Sequence, residues 1–461
     1  MDGTSVGRRP PFGNNPYVGE RGGDTQRRIL AGALAIFAEV GFHGARVELI
    51  TRKAGCSRPA FYQYFSSKDD VFWHLAAQLG EEMIALGDRL GHVTPDQQGI
   101  ATLAAWLEEF ATLHETYAPV FSAFQAASRD HKPMASGSSR ISDRLGDALL
   151  HGFGAHNPDR ETDALARGMV AVLIRCCFYA IGFAEIVERR RLVDGLAQIV
   201  HRLLAGPIVG VNLEPVQIGP VQIEPVQIEG TGSPADRNTP PEPSSPRSPS
   251  PSPLEDRIGG ARALRPRGMV ARQQLLDAGA TVLPARGYHD ARVEDIVEAA
   301  GVSHGSFYRY FRNKDDFFRV LAEEASTPLI EMLNVFPAPT DAIGLRGWLH
   351  QWFSAYESNG GVISTWQEMH QADPQLVSFS QQVAASVIAS LTQILDGRDF
   401  GDPLVDALAL LALVERLPYS VFTLRFTEQA EAIEAMVVII RRGFMGIAET
   451  AVIATAEPMV G

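Results

Sequence analysis

Two short stretches carry hydrogen-bonding side chains at a spacing suited to contact with a nucleic-acid backbone. In the first, Tyr62, Gln63 and Tyr64 lie between Phe61 and Phe65, with Lys68 just beyond. In the second, Tyr308, Arg309 and Tyr310 lie between Phe307 and Phe311, with Lys314 just beyond. Phenylalanines four apart share one helical face. With that face turned to a core, the residues between them point outward, where hydroxyls and an ammonium can meet phosphates. Among base edges, arginine suits guanine and glutamine suits adenine.

The elements that must position these side chains are readable nearby. Ile29, Leu30, Ala33, Leu34, Phe37 and Val40 recur at helical spacing, with Asp24 or Thr25 as a start cap and Gly41 as the stop. A second short helix turns Val47, Ile50 and Ala54 inward. Gly55 then supplies a sharp turn, since glycine adopts positive φ without a Cβ clash. Ser57 is placed to cap the third helix. The second stretch repeats this with Gly301, Ser303, Phe307 and Phe311. Pro284 stands where the first copy has Ala38, and its missing N–H predicts a kink or an early end for that first helix.

The repetition extends well beyond these elements. GFHGARVELITRKAGCSRPAFYQYFSSKDD, from Gly41, and GYHDARVEDIVEAAGVSHGSFYRYFRNKDD, from Gly287, agree at 17 of 30 positions at a constant offset of 246. Further on, WLEEFATLHETYAPVFSAF from Trp106 parallels WLHQWFSAYESNGGVISTW from Trp348. The duplicated unit is therefore a module of some 190 residues, all-helical in pattern. Between the copies, three near-identical pentapeptides (214–228) precede a Pro/Ser-rich tract (233–253). That composition lacks the apolar content to offset ordering entropy and reads as a disordered spacer.

Composition narrows the functional classes. The 461 residues are 45% hydrophobic and carry a net charge of −13, which argues against a nucleic-acid partner until the charge is mapped. Residues 24–70 hold seven basic and five acidic side chains, and 256–316 hold ten and eight, so both segments are about +2. Apolar runs such as 407–414 fall short of the ~18 residues of a membrane span, and the leader lacks a signal-peptide core. Cys56, Cys176 and Cys177 form neither a disulfide framework nor a zinc pattern, which fits a reducing cytoplasm. Cys176 and Cys177 sit in an apolar run and read as inert buried thiols. His114 and His370 lack metal-ligand companions. Gly301-Val302-Ser303-His304-Gly305 matches a nucleophile-elbow pattern, but a helical segment precedes it where that motif needs a strand. No enzyme, metal or cofactor is expected.

A helix, a glycine turn and a short following helix make a helix-turn-helix. The segment AAGVSHGSFYRYFRNKDDFF resembles the recognition region of the TetR family of bacterial regulators, and KAGCSRPAFYQYFSSKDDVF resembles it with more departures. The resemblance implies that Tyr62, Tyr64 and Lys68, and Tyr308, Tyr310 and Lys314, clamp DNA phosphates. It implies base reading by Arg58, Pro59, Ala60 and Gln63, and by His304, Gly305, Ser306 and Arg309. Two departures stand out. Ala60 cannot donate where a hydroxyl is usual, as kept in Ser306. Arg46 and Arg292 replace a neutral cap before the second helix while adding charge near the expected phosphates, with Glu48 and Glu294 as first-turn acids.

The same resemblance implies that a fourth helix, starting near Lys68 and Lys314, joins each head to a helical effector domain that binds a small molecule. Candidates to line an apolar pocket are Trp106, Phe110, Phe121 and Phe124, and Trp348, Trp352, Trp366 and Met369, with core packing as the alternative. The expected layout is all-α: a disordered leader (1–23), head 1 (24–71), effector domain 1 (72–205), linker (206–256), head 2 (257–318) and effector domain 2 (319–454). The expected function is a cytoplasmic, ligand-released repressor acting on a double-stranded DNA operator with unlike half-sites. Alternatives are a binding scaffold with an inactive head, or a hydrolase. Apolar helices at 170–181 and 408–422 would pair the modules within the chain, with a homodimer as the alternative.

Overall fold

The structure is a computed structural model that describes residues 20–128, 135–155, 159–182, 187–206, 266–338, 340–369, 374–396, 398, 400–425 and 427–447. The pentapeptide repeats, the Pro/Ser-rich tract, most of the predicted leader and His370 lie outside the described residues. Among the described residues the regular structure is helical. The first module runs α1 (Glu20–Gly44), α2 (Val47–Ala54), α3 (Arg58–Tyr64), α4 (Lys68–Gly87), α5 (Gln97–Thr116), α6 (Ala118–Ser128), α7 (Ala135–Gly152), α8 (Arg160–Gly182) and α9 (Arg189–Ala205). The second runs α10 (Pro266–Arg286), α11 (Val293–Ala300), α12 (His304–Tyr310), α13 (Lys314–Asn334), α14 (Ala342–Met369), α15 (Pro374–Leu395), α16 (Pro403–Tyr419) and α17 (Gln429–Val438). Wider π-type turns, Ser420–Leu424 and Ile439–Phe444, continue α16 and α17.

Two expectations about the first helices need correction. α1 begins at Glu20, so Asp24 lies inside the helix, paired with Arg27, and is not its cap. Pro284 does not shorten α10. That helix reaches Arg286, the position equivalent to Val40, where regular helix in α1 stops before Gly41 at φ +70°. Pro284 cannot donate to the carbonyl one turn back, yet the last turn still closes, with Gly287 N donating to Leu283 O at 2.7 Å, so the two copies end alike.

Each head packs around aromatic rings. Phe37, Phe42 and Phe72 meet edge-on or tilted in the first, and Phe307, Phe311 and Phe317 in the second. α4 and α13 carry the chain from each head into the helices beyond.

The modules pack against one another through α8, α9, α16 and α17. α8 lies along α16 and α17, and α9 lies along α16 and the Ile439–Phe444 turn. The helix Pro403–Leu424 is long and apolar enough to cross a membrane by length and composition, a feature that short apolar runs in the sequence did not reveal. Here Leu404, Val405 and the unbroken stretch 407–414 are buried, with α16 packed against α15 of its own module and α8 and α9 of the other, which accounts for its apolar character. Charged pairs cross this face. Arg175 meets Glu415 at 2.8 Å, Arg191 Nη2 donates to Asp402 Oδ1 at 2.9 Å, and Arg160 lies 3.2 Å from Glu431.

Among the described pocket candidates, Trp106, Phe110, Trp348 and Trp352 are buried. Trp106 donates its indole N–H to Leu86 O at 2.9 Å, Trp348 to Met332 O at 3.1 Å and Trp352 to Val414 O at 2.8 Å. Trp106 stacks on Phe110, and Trp348 on Trp352. These indoles have satisfied donors and packed faces, as core aromatics do. The side chains of Phe124, Trp366 and Met369 lie outside the described residues. A shallow crevice does occur between α5, α8 and α9, lined by Leu107, Ala111, Cys177, Leu192 and Leu196, with the Glu115–Arg189 ion pair beside it. Burial pushes the Cys177 thiol up to about 12 and raises Cys176 as well, so neither is a ready thiolate.

His114, on α5, is only 2% exposed, stacks on Phe121 at 4.1 Å, and has no hydrogen-bond partner for either ring nitrogen among the described residues. Burial lowers its pKa from the usual 6.5 to about 3. The unfolded chain therefore binds a proton below pH 6.5 that the folded chain refuses until about pH 3. This stability is present above pH 6.5 and is lost as pH falls. Between pH 7 and pH 5 the chain should lose about 2 kcal/mol more than a His114→Leu variant. Urea midpoints at the two pH values measure this, and equal losses in both proteins would refute it.

Candidate nucleic-acid interface

In each head the turn before the recognition helix forms as the residues dictate. Gly55 takes φ +61° and Gly301 φ +65°, left-handed positions that cap α2 and α11 with a backbone N–H. Ser57 Oγ then accepts from Ala60 N at 3.2 Å, capping α3. Ser303 departs from that expectation. Its hydroxyl lies 2.9 Å from the Ser306 hydroxyl, while its backbone carbonyl accepts from Ser306 N at 2.8 Å. The presence of a second hydroxyl at 306, where the first head has Ala60, diverts the side chain from capping. A helix, α11, precedes Ser303 where a nucleophile elbow would need a strand.

Phe61, Phe65 and Phe307 are fully buried, and Phe311 nearly so. That anchors one face of α3 and α12 and leaves Arg58, Pro59, Tyr62 and Gln63, and His304, Gly305, Tyr308 and Arg309, exposed, with Ala60 and Ser306 half-exposed. Tyr64 and Tyr310 are half-buried, lying partly against the core. Tyr62 and Tyr308 are thus the more accessible hydroxyls of each pair.

One arrangement repeats that spacing alone did not expose. Glu48 pairs with Arg58 at 2.8 Å, and Glu294 meets His304 Nε2 at 3.1 Å. In both heads, the acid one residue into the second helix holds the first side chain of the recognition helix. Hydrogen bonding to Tyr62 and the Glu48 charge raise the Arg58 pKa. Backbone hydrogen bonding and His304 lower that of Glu294. Arg46 and Arg292 are exposed N-caps without side-chain caps, and Asp295 receives the Arg292 backbone N–H at 2.8 Å. The equivalent offset of ten residues within each copy was the signal available in the sequence.

The lysines are placed less freely than their predicted role implies. Lys68 Nζ donates to the carbonyls of Phe42 at 2.8 Å, Ala45 at 3.2 Å and His43 at 3.3 Å, with its charge over the Phe42 ring. Lys314 Nζ donates to Tyr288 O at 2.7 Å and Ala291 O at 3.0 Å, over the Tyr288 ring. Burial lowers both pKa values. Each ammonium ties the loop before the second helix to the start of the fourth, so it orients the head, with its contacts to backbone carbonyls already made.

The heads also touch. The rings of His43 and His289 lie 4.5 Å apart, and these residues are equivalent at the offset of 246. A contact between a residue and its own counterpart is what an approximate two-fold relation between the heads would produce.

Comparison with known proteins agrees with this geometry. The family described as bacterial regulatory proteins, tetR family, matches residues 29–75 and again 275–321. The transcriptional regulator AcuR of Cereibacter sphaeroides is 43% identical over 74 residues, covering 15% of this chain and 34% of that protein. The uncharacterised HTH-type regulator YdgC of Bacillus subtilis is 41% identical over 58 residues, 13% of this chain and 30% of its own. The fatty acid metabolism regulator protein of Bacillus subtilis is 29% identical over 127 residues, 27% of this chain and 63% of that protein. The chain thus spans about a third of the length of the first two and under two thirds of the third. A crystal structure of the regulator FadR from Bacillus subtilis with stearoyl-CoA covers 38% of this chain and 99% of that one. It shows 20% identity and a TM-score of 0.31, too low to bear on the fold. Both heads thus belong to the tetR family of bacterial regulatory proteins, and the chain carries two tandem copies of that family's helix-turn-helix domain.

Proposed function

We propose that this chain is a sequence-specific DNA-binding transcriptional regulator whose two heads act together as an intramolecular pseudo-dimer on one operator. The observation that carries this reading is the pair of exposed recognition-helix faces, on heads that meet at the equivalent residues His43 and His289. In this reading Tyr62 and Tyr308 contact phosphates, Arg58, Gln63, His304 and Arg309 read base edges, and Lys68 and Lys314 hold the heads in register. Repression, released by an apolar or amphipathic small molecule bound in the helical domains, completes the proposal. Its support is the relationship to regulators and the separation of each head from its helical domain along α4 or α13.

The heads differ at each outward base-facing position, Arg58 against His304, Pro59 against Gly305, Ala60 against Ser306 and Gln63 against Arg309. Unlike side chains select unlike base edges, so the preferred operator should have two different half-sites. Selection from a random duplex library with the full chain tests this. A perfect palindrome as the best site, or no enrichment at all, would count against the reading.

A further inference from the structure

The face that joins the modules can be compared with the faces each module would present to its own copy. Equivalent positions are set by equivalent caps. Asp159 and Asp402 each accept a backbone N–H from three residues on, Thr162 at 2.8 Å and Val405 at 3.3 Å. Glu188 and Glu428 precede α9 and α17, and Gly206 and Gly446 each donate a backbone N–H to an arginine carbonyl, of Arg202 and Arg442. Positions in α8 therefore correspond to those in α16 at an offset of 243, and positions in α9 to those in α17 at 240.

With that correspondence, three contacts lose their match when the second module meets itself, and the two charged ones lose it when the first does. Arg175 and Glu415, with side chains 11% and 21% exposed, form a pair to which each module supplies one charge. The counterpart of Glu415 is Val172, and that of Arg175 is Pro418. A like pairing of first modules would bury two unmatched arginines, and one of second modules two unmatched glutamates, and removing one partner of a buried pair is strongly destabilising. Glu431 binds Arg160 through both carboxylate oxygens, at 3.2 Å each, and it corresponds to Arg191, which binds Asp402. The sign is reversed between the modules, so in a pairing of second modules Glu431 would face Asp402. Finally, Gly195 lies so close to Val405 that a Cβ there would stand 2.6 Å from Val405 Cγ1. The counterpart of Gly195 is Ala435, which has that Cβ.

We propose that this is a self-excluding interface, in which the first module is the dedicated partner of the second and neither pairs stably with its own copy. The proposal rests on the pairing described above, and goes beyond it in naming the residues that select the partner. Specificity of this kind comes from repulsion and misfit in the wrong pairing as much as from attraction in the right one.

The test uses the full chain with a protease site introduced between residues 233 and 253, cut after folding. Native mass spectrometry of the nicked protein should show a 1:1 complex of unlike halves near the 50.1 kDa of the intact chain. Arg175→Glu should weaken that complex about tenfold or more, and adding Glu415→Arg should recover most of the loss. Should Arg175→Glu fail to fold, Arg160→Glu with and without Glu431→Arg gives the same comparison at a pair whose arginine is 78% exposed. Dimers of like halves, or a charge-swapped double variant no tighter than the single, would overturn the proposal. None of these measurements involves DNA, so failure to bind an operator would overturn the functional reading alone.

Discussion

Replacing Tyr308 and Arg309 together with alanine should weaken binding to the selected operator by about a hundredfold or more at physiological salt. Each well-made base contact is worth about 1–3 kcal/mol, and each 1.4 kcal/mol is tenfold in affinity. Tyr308, 52% exposed beside the buried Phe307, has the outward placement that a phosphate contact needs. The two substitutions should separate in their signatures. Loss of the tyrosine alone should weaken all sequences alike and leave the salt slope nearly unchanged, because a neutral hydroxyl neutralises no phosphate charge. Loss of the arginine alone should relax the preference at one base pair. Tyr62 and Gln63 should behave in parallel at the other half-site. Anisotropy titrations across a series of salt concentrations measure both quantities. Unchanged affinity and slope in the double variant would remove head 2 from DNA reading.

The second large effect concerns stability. Asp406 is completely buried, accepts from Arg398 Nη2 at 2.6 Å and lies 3.4 Å from Arg202 Nη2. Arg202 comes from the other module, and its Nε donates to Gly443 O at 2.9 Å. Both guanidiniums lie near the Phe400 ring, at 5.0 and 5.3 Å from its centre. Asp406→Ala would leave two buried cations around a vacated acceptor, and the cost of stranding such charges is about 3–5 kcal/mol. Asp406→Asn, which keeps an acceptor oxygen, should cost less. The urea midpoint of the full chain reads the difference. A variant as stable as the parent would show that these arginines are satisfied without the carboxylate.

Much of each head is legible in the residues because its determinants are local. A glycine at a helix end, a serine after it and phenylalanines four apart settle a turn, a start and an inward face within a dozen positions. Gly55 and Gly301 adopt the expected left-handed backbone, and Phe61 and Phe307 are buried as their spacing implies. Where the readings slipped, a nearby group offered a better partner than the expected one. Ser306 draws the Ser303 hydroxyl from its cap, and Arg27 takes up Asp24 inside α1. The indoles of Trp106 and Trp352 are candidates for a pocket by composition, yet their N–H groups are spent on carbonyls of neighbouring helices, α4 and α16.

By itself, then, the sequence determined the duplication, the helical period and the outward recognition residues, since these follow from offset, spacing and backbone preference. Only the tertiary structure decided which charges meet. Arg175 and Glu415 are 240 positions apart, and Arg160 and Glu431 are 271 apart. Nothing in the local pattern of either helix names its partner. Such pairings depend on how two packed modules are set against each other, and that orientation follows from the buried fit of α8 and α9 on α16 and α17 summed over many side chains.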